Sequence, residues 1–427
     1  MESKKNLLFS AFRLIAVFFI AVYLSGCSHV NPSPSTTKEW TIMLFAAADN
    51  DLEEPTFNNV NELELTGSSD RVNMVAQTDW WHHSGDAESL VTGEGIGRWY
   101  ITKDTDMVHI KSTLVGTVEE ANTGTAEAIR DFVVWAVANY PASKYMLIVG
   151  SHGSGWRKGR EIEKKGFGQD YTTDPSKASI MDLADLKTIL PAIYSTLGNK
   201  KLDVFGIDAC LNGMVDVAYL LKDYADILIA SEDVIPGDGY PYTAFAAEIV
   251  ATPTMTAREL ALFIVAKYYE KYYNQRSSTL AALDLSKIDA LADSVKALAG
   301  SFSDPAQYEA VRDIINSETS GVYLVQRYYE IPFRDLWDFC HKIIEQKGSD
   351  PAYATIAEKC ASVKTAVEQA VIDSKYTSGA DDAYSVAGSH GISIYLPTPQ
   401  TTTYESEYSG VDFSVFTGWG NFLQQFN

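Results

Sequence analysis

Cysteine is scarce in this chain, with four in 427 residues, at positions 27, 210, 340 and 360. None forms a C-x-x-C pair or a Cys/His cluster at zinc spacing, which excludes zinc fingers and ribbons. Basic side chains are in deficit, 34 Lys and Arg against 56 Asp and Glu, a formal charge of −22. That balance leaves no basic footprint for nucleic acid, and its field attracts cationic peptides instead. The apolar run at residues 14–24 is too short to span a bilayer comfortably. There is no G-x-S-x-G elbow, which argues against a serine esterase, and no EF-hand loop. Internal repeats and low-complexity tracts are also missing. The apolar fraction, 46%, is that of an ordinary globular protein, and the length allows one large domain or two medium ones.

Two stretches carry chemistry. Residues 201–210, KLDVFGIDAC, form a short apolar run that ends in Asp208-Ala209-Cys210, and a helical pattern follows through Met214, Val217, Ala218 and Leu221. This reads as a buried parallel strand handing over to a helix. A thiol placed there meets the N–H groups of a helix start. Residues 144–155, KYMLIVGSHGSG, read as another apolar strand that ends at His152 among glycines. Two adjacent parallel strands would deliver His152 and Cys210 to one sheet edge, the arrangement of a Cys–His dyad. The backbone N–H groups of Gly153 and Cys210 are candidate oxyanion donors. Against this, a lone strand-end cysteine is usually buried and inert.

Together these blocks resemble the clostripain family of clan CD cysteine peptidases, relatives of caspases, gingipains and legumain. The opening strand 40–53, WTIMLFAAADNDLE, the segment 230–242, ASEDVIPGDGYPY, and the late strand 391–397, GISIYLP, extend the resemblance over residues 40–400. It implies a caspase-like α/β/α sandwich with a mainly parallel sheet, and cleavage after Arg or Lys. A pocket for such side chains needs a carboxylate. Asp208 is the first candidate, because strand alternation puts residues 208 and 210 on one side. Asp238 is the second, and Glu232 and Asp233 are weaker. The plain alternative for Asp208 is a helix cap. The resemblance also implies activation by internal cleavage between the His and Cys strands. Residues 157–174 form a polar loop with five basic residues, Arg157, Lys158, Arg160, Lys164 and Lys165. Each is a self-cleavage candidate, with Lys164 and Lys165 marginally favoured, although most such charge runs are simply solvated. No cofactor is required. Calcium stays open because some family members depend on it, and residues 49–54 could supply oxygen ligands.

The remainder sets the organisation. Lys4, Lys5 and Arg13 precede the apolar run, which ends in Leu24-Ser25-Gly26-Cys27. That ending resembles a bacterial lipobox and implies a leader over residues 1–26, lipid on Cys27, a tether over 27–38 and a protein anchored to the cell envelope. A plain signal peptide is the alternative. Alternating β and α patterns place a catalytic core at 39–285, and a mostly helical subdomain or cap with one returning strand occupies 286–427. Cys340 and Cys360 are either bonded or two buried thiols. His82, His83, His109 and His341 are not sites, and His390-Gly391 is a decoy expected at the sheet edge opposite Cys210. The reading is a cysteine endopeptidase acting on Arg/Lys peptides. The rivals are a catalytically silent binding module on the same scaffold, and a clan CD peptidase or transpeptidase of other specificity.

Overall fold

The computed structural model describes residues 37–81, 96–118, 122–157, 167–170, 179–319, 322–329, 332–379, 384–398 and 405–425. Cys27, His82, His83, Lys158, Arg160, Lys164 and Lys165 lie outside the described residues.

Nine strands build the main sheet: β1 (Lys38–Ala48), β2 (Val72–Trp80), β3 (Ile96–Tyr100), β4 (Thr113–Val118), β5 (Ala142–Gly150), β6 (Leu202–Asp208), β7 (Ala225–Ala230), β8 (Ser278–Asp284) and β9 (Val371–Thr377). They lie in the order β9-β8-β7-β6-β5-β1-β2-β3-β4. The five central strands, β7 to β2 across the sheet, are parallel, and the outer ones are antiparallel. The centre is buried on both faces, so β1 and β6 read as continuous apolar runs.

Helices cover the two faces. On one side α2 (Ala126–Asn139), α3 (Leu183–Thr196) and α4 (Val215–Leu221) pack against Phe45, Leu147, Phe205 and Leu228. On the other, α1 (Glu53–Glu64), α5 (Tyr242–Ala251) and α6 (Ala257–Tyr272) pack against Ile42, Ile148, Val204 and Ile229. Several helix starts are written in the sequence. Thr125 caps α2, while Asp182 with Asp185 and Thr256 with Glu259 form capping boxes at α3 and α6. Each such cap contributes about 1 kcal/mol.

The expected break at residue 285 is no seam. Helices α7 (Ile288–Ala299), α8 (Pro305–Asn316), α9 (Leu336–Lys347) and α10 (Ala354–Ala370) share one apolar core with the sheet. Strand β9, which reads as helical, joins β8 in the main sheet. The late strand expected at 391–397 instead contributes Ser393–Tyr395 to a small ladder with Phe333–Asp335. It lies beside the turn after Cys210, since Met214 bridges Ser393. His390 is therefore not at the opposite edge. It bonds Asp335 at 3.2 Å and stacks on Trp337. Cys340 and Cys360 are buried free thiols.

Candidate active site

Strand register brings the site together. Gly150 of β5 pairs with Asp208 of β6, so His152 and Cys210 each stand two residues beyond the last matched pair. β1 lies on the other side of β5, with Ala46 paired to Gly150, and it leads into Asp49-Asn50-Asp51. Three neighbouring strand ends thus deliver Asp51, His152 and Cys210 to one cavity of about 320 Å³, which Asp208, Gly153, Ile235, Arg157 and Tyr329 also line.

His152 Nε2 lies 2.6 Å from Asp51 Oδ1. The sequence does not point to Asp51 as a partner of His152, because the two are 101 positions apart and the β1–β5 pairing is what brings them close. Gly153 packs directly on the nucleophile segment. A Cβ there would lie 2.8 Å from Cys210 N and closer still to Cys210 O, so only glycine fits. The two candidate oxyanion donors therefore belong to abutting stretches of backbone.

Cys210 is half-buried, and its sulfur accepts an N–H from Ile235 at 3.4 Å. It does not sit at a helix start as expected, because α4 begins five residues later. Between them runs a tight turn. Leu211 adopts φ +64°, a left-handed conformation that costs an aliphatic residue about 1–2 kcal/mol. Burial of the Leu211 side chain offsets a similar amount. Hydrogen bonds pin the turn: Leu211 N–H to Asp233 O, Asn212 Nδ2–H to Cys210 O, and Gly213 N–H to Ser231 O.

Asp208 is 8% exposed in the wall of the cavity. Its Oδ2 accepts from Tyr240 N–H at 3.0 Å and Tyr242 O–H at 2.7 Å, while its Oδ1 has no hydrogen-bond partner. Burial pushes its pKa up to about 6, against the pull of those two donors and of Lys271. Gly239, at φ +59°, gives it room, since a Cβ there would approach Asp208 Cγ to 3.0 Å. Asp208 is thus not a helix cap. The other carboxylate candidates are elsewhere. Asp238 is exposed and outside the cavity lining, and its carbonyl accepts from Lys271. Glu232 is fully buried against Tyr328 and Gly391 N–H. Asp233 bonds Tyr329 N–H and Tyr384 O–H.

Arg157, offered as a cleavage candidate, is held in the cavity wall. Its guanidinium pairs with Glu405 at 3.2 Å and lies over Phe333, and its carbonyl accepts from Ser154. An anchored residue is a poor cleavage site. For a hard cation, among the described residues, Asp49 is the member of the 49–54 segment that is grouped with other carboxylates. Oxygens of Asp49, Asp79 and Asp170 lie within 4.8 Å of one another, the ligand type that calcium takes.

The sequence model of the Clostripain family matches residues 44–426. The chain belongs to the clostripain family. It is 24% identical to the clostripain of Hathewaya histolytica over 433 residues, 89% of this chain and 79% of that one. Its fold is that of a secreted C11 cysteine protease from Bacteroides thetaiotaomicron, solved with an irreversible peptide inhibitor (TM-score 0.63, 21% identity, 90% of this chain and 99% of that one). It is also that of an inactive zymogen C11 protease from Parabacteroides distasonis (TM-score 0.65, 20% identity, 90% and 99%). This clostripain-family chain is accordingly a cysteine-type endopeptidase with a caspase-like fold. Among the described residues, no helix is long and apolar enough to cross a membrane.

Proposed function

We propose that this clostripain-family enzyme cuts peptides after Arg or Lys through Cys210 and His152. The observation that carries the specificity is the buried Asp208 carboxylate, with Oδ1 left without a partner in the cavity that His152 and Cys210 also line. A guanidinium or ammonium supplies the missing donors and a compensating charge. The Cys210 thiolate attacks the scissile carbonyl, and the N–H groups of Gly153 and Cys210 hold the oxyanion. His152 gives its proton to the leaving amine, and water then releases the acyl group from sulfur. Asp51 orients the imidazole and balances its charge.

Activation by self-cleavage within residues 158–166, and an envelope anchor on lipidated Cys27, complete the reading. Calcium belongs to it as a ligand of Asp49, Asp79 and Asp170, whose oxygens suit a hard cation. The deciding measurement is amidolysis of fluorogenic peptides ending in Arg, Lys, Asn or Asp, with and without calcium, beside Cys210→Ala. Turnover confined to Arg and Lys peptides and lost in the variant is expected. Turnover after Asn or Asp discards Asp208 as the specificity carboxylate, and silence of both intact and trypsin-nicked chain favours the binding-module reading.

A further inference from the structure

A second cavity of about 880 Å³ adjoins the first, and Glu405 lines both. Its wall is acidic: Asp182, Glu407, Asp412 and Asp216 join Glu405, and the lysine present, Lys187, is already paired with Asp412 at 2.7 Å. Two buried groups in this wall lack partners. Asp216 is 1% exposed; Tyr408 O–H donates to its Oδ1 at 2.9 Å, and its Oδ2 has no hydrogen bond. Trp156 is 5% exposed, and its Nε1–H has no acceptor. Burial lifts the Asp216 carboxyl to about 7, and a cation brought against its open oxygen favours the ionised form.

An unfilled acceptor and an unfilled donor in the wall of one cavity select the ligand. A lysine or arginine side chain offers donors alone, and so does an ammonium ion. The amino terminus of a peptide offers both: an α-ammonium for the carboxylate and, across the same Cα, a carbonyl for the indole N–H.

The position of the cavity points to which terminus. Trp156 and Arg157 close the described stretch that leads to residue 158. On the far side of 158–166, Phe167 pairs with Met181, next to the lining residues Asp182 and Leu183. A cut after Lys164 or Lys165 would leave a new amino terminus within two residues of Phe167. We propose that this cavity receives the amino terminus created when the chain is cut within 158–166, with its α-ammonium on Asp216 and its first carbonyl on Trp156.

This rests on the self-cleavage reading and gives it a physical reason. Hydrolysis of one peptide bond consumes a water and yields a carboxylate and an α-amine, which takes up a proton near neutral pH. Before the cut, no ammonium exists there. Trp156 lies four residues after His152, and Asp216 six after Cys210. A terminus bridging them ties together the two segments that carry the dyad. Neither Asp216 nor Trp156 lines the cavity of His152 and Cys210, so the terminus docks outside the substrate cleft.

The test uses the full chain with Cys210→Ala, which cannot cut itself. Glycylglycine amide is the probe, its acetylated form the control, and Tm the readout. At about ten times its Kd the free amine raises Tm by about 2 °C. The acetylated form does not, and Asp216→Asn, a near-isosteric change, abolishes the rise. After the same protein is cut in trans by active enzyme, the probe no longer stabilises it, because the chain's own terminus fills the site. Equal responses with and without Asp216, no response in the uncut chain, or an undiminished response after cutting each overturn the proposal. An active enzyme that stays uncut sinks the self-cleavage reading instead, and the gel distinguishes that failure from this one.

Discussion

Asp208 has one oxygen satisfied twice by the fold and one left over. Replacing it with asparagine keeps the shape and removes the charge. We expect Asp208→Asn to lower kcat/KM for Arg and Lys peptides by about 30- to 1000-fold, which corresponds to about 2–4 kcal/mol. Because burial places its pKa near 6, protonation below that value would remove the proposed ion pair with the substrate side chain. The kcat/KM for Arg peptides should therefore fall as pH drops through about 6, and the variant should lack that acid limb. Gly153 makes a sharper steric prediction. A methyl at that position drives into the Cys210 backbone, so Gly153→Ala should cost on the order of 100-fold or more in kcat through the displaced oxyanion donors. Steady-state kinetics on one Arg substrate checks both.

At the scale of elements, the turn of residues 209–214 decides where the thiol sits. Nothing in its local sequence announces a left-handed leucine; Asn and Gly are the usual occupants of that conformation. The turn holds because β7 and the residues after it offer Ser231 O and Asp233 O to its N–H groups, and because Asn212 closes on Cys210 O. Asn212→Ala deletes that last bond. We expect a loss of about 1 kcal/mol in stability and about tenfold in kcat, with KM nearly unchanged, measured by denaturant titration and by kinetics. The helices with side-chain caps were legible in sequence because their start signals are local. β9 was not, because residues 371–377 follow directly on α10 and become a strand by pairing with β8. α5 carries no such start signal, because it lacks a side-chain cap.

At the scale of the whole molecule, buried carboxyls set stability against activity. Asp208 and Asp216 hold their protons more tightly folded than unfolded. The stability they contribute is complete below the ordinary aspartate value near 3.8, and it is lost as pH rises through about 6 and about 7. Glu232, buried against Asp335, is pushed up in the same direction by burial and by that neighbouring charge. The net charge of −22 adds self-repulsion with the same sign. We therefore expect Tm of the uncut Cys210→Ala chain to be several degrees higher at pH 5 than at pH 8. Asp216→Asn should narrow the gap by raising the value at pH 8. Differential scanning calorimetry across that range checks it. The proposed role of Asp208 demands the opposite, an ionised carboxylate, so we expect the enzyme to work best above the pH at which it is most stable.

The sequence by itself determined the parallel α/β core, the His152 and Cys210 strand ends and the Asp208 candidate. Apolar runs, glycines and helix caps are local signals, and strand alternation relates residue 208 to residue 210 without any other part of the chain. The tertiary structure alone decided the rest. It brought Asp51 to His152 across 101 positions, placed Asp238 outside the cavity and paired Arg157 with Glu405. It also joined the C-terminal region to the main sheet through β9 and left Asp216 and Trp156 unsatisfied beside a second cavity. These depend on strand order and on long-range packing, and a pairing partner chosen across a fold leaves no periodicity in either segment.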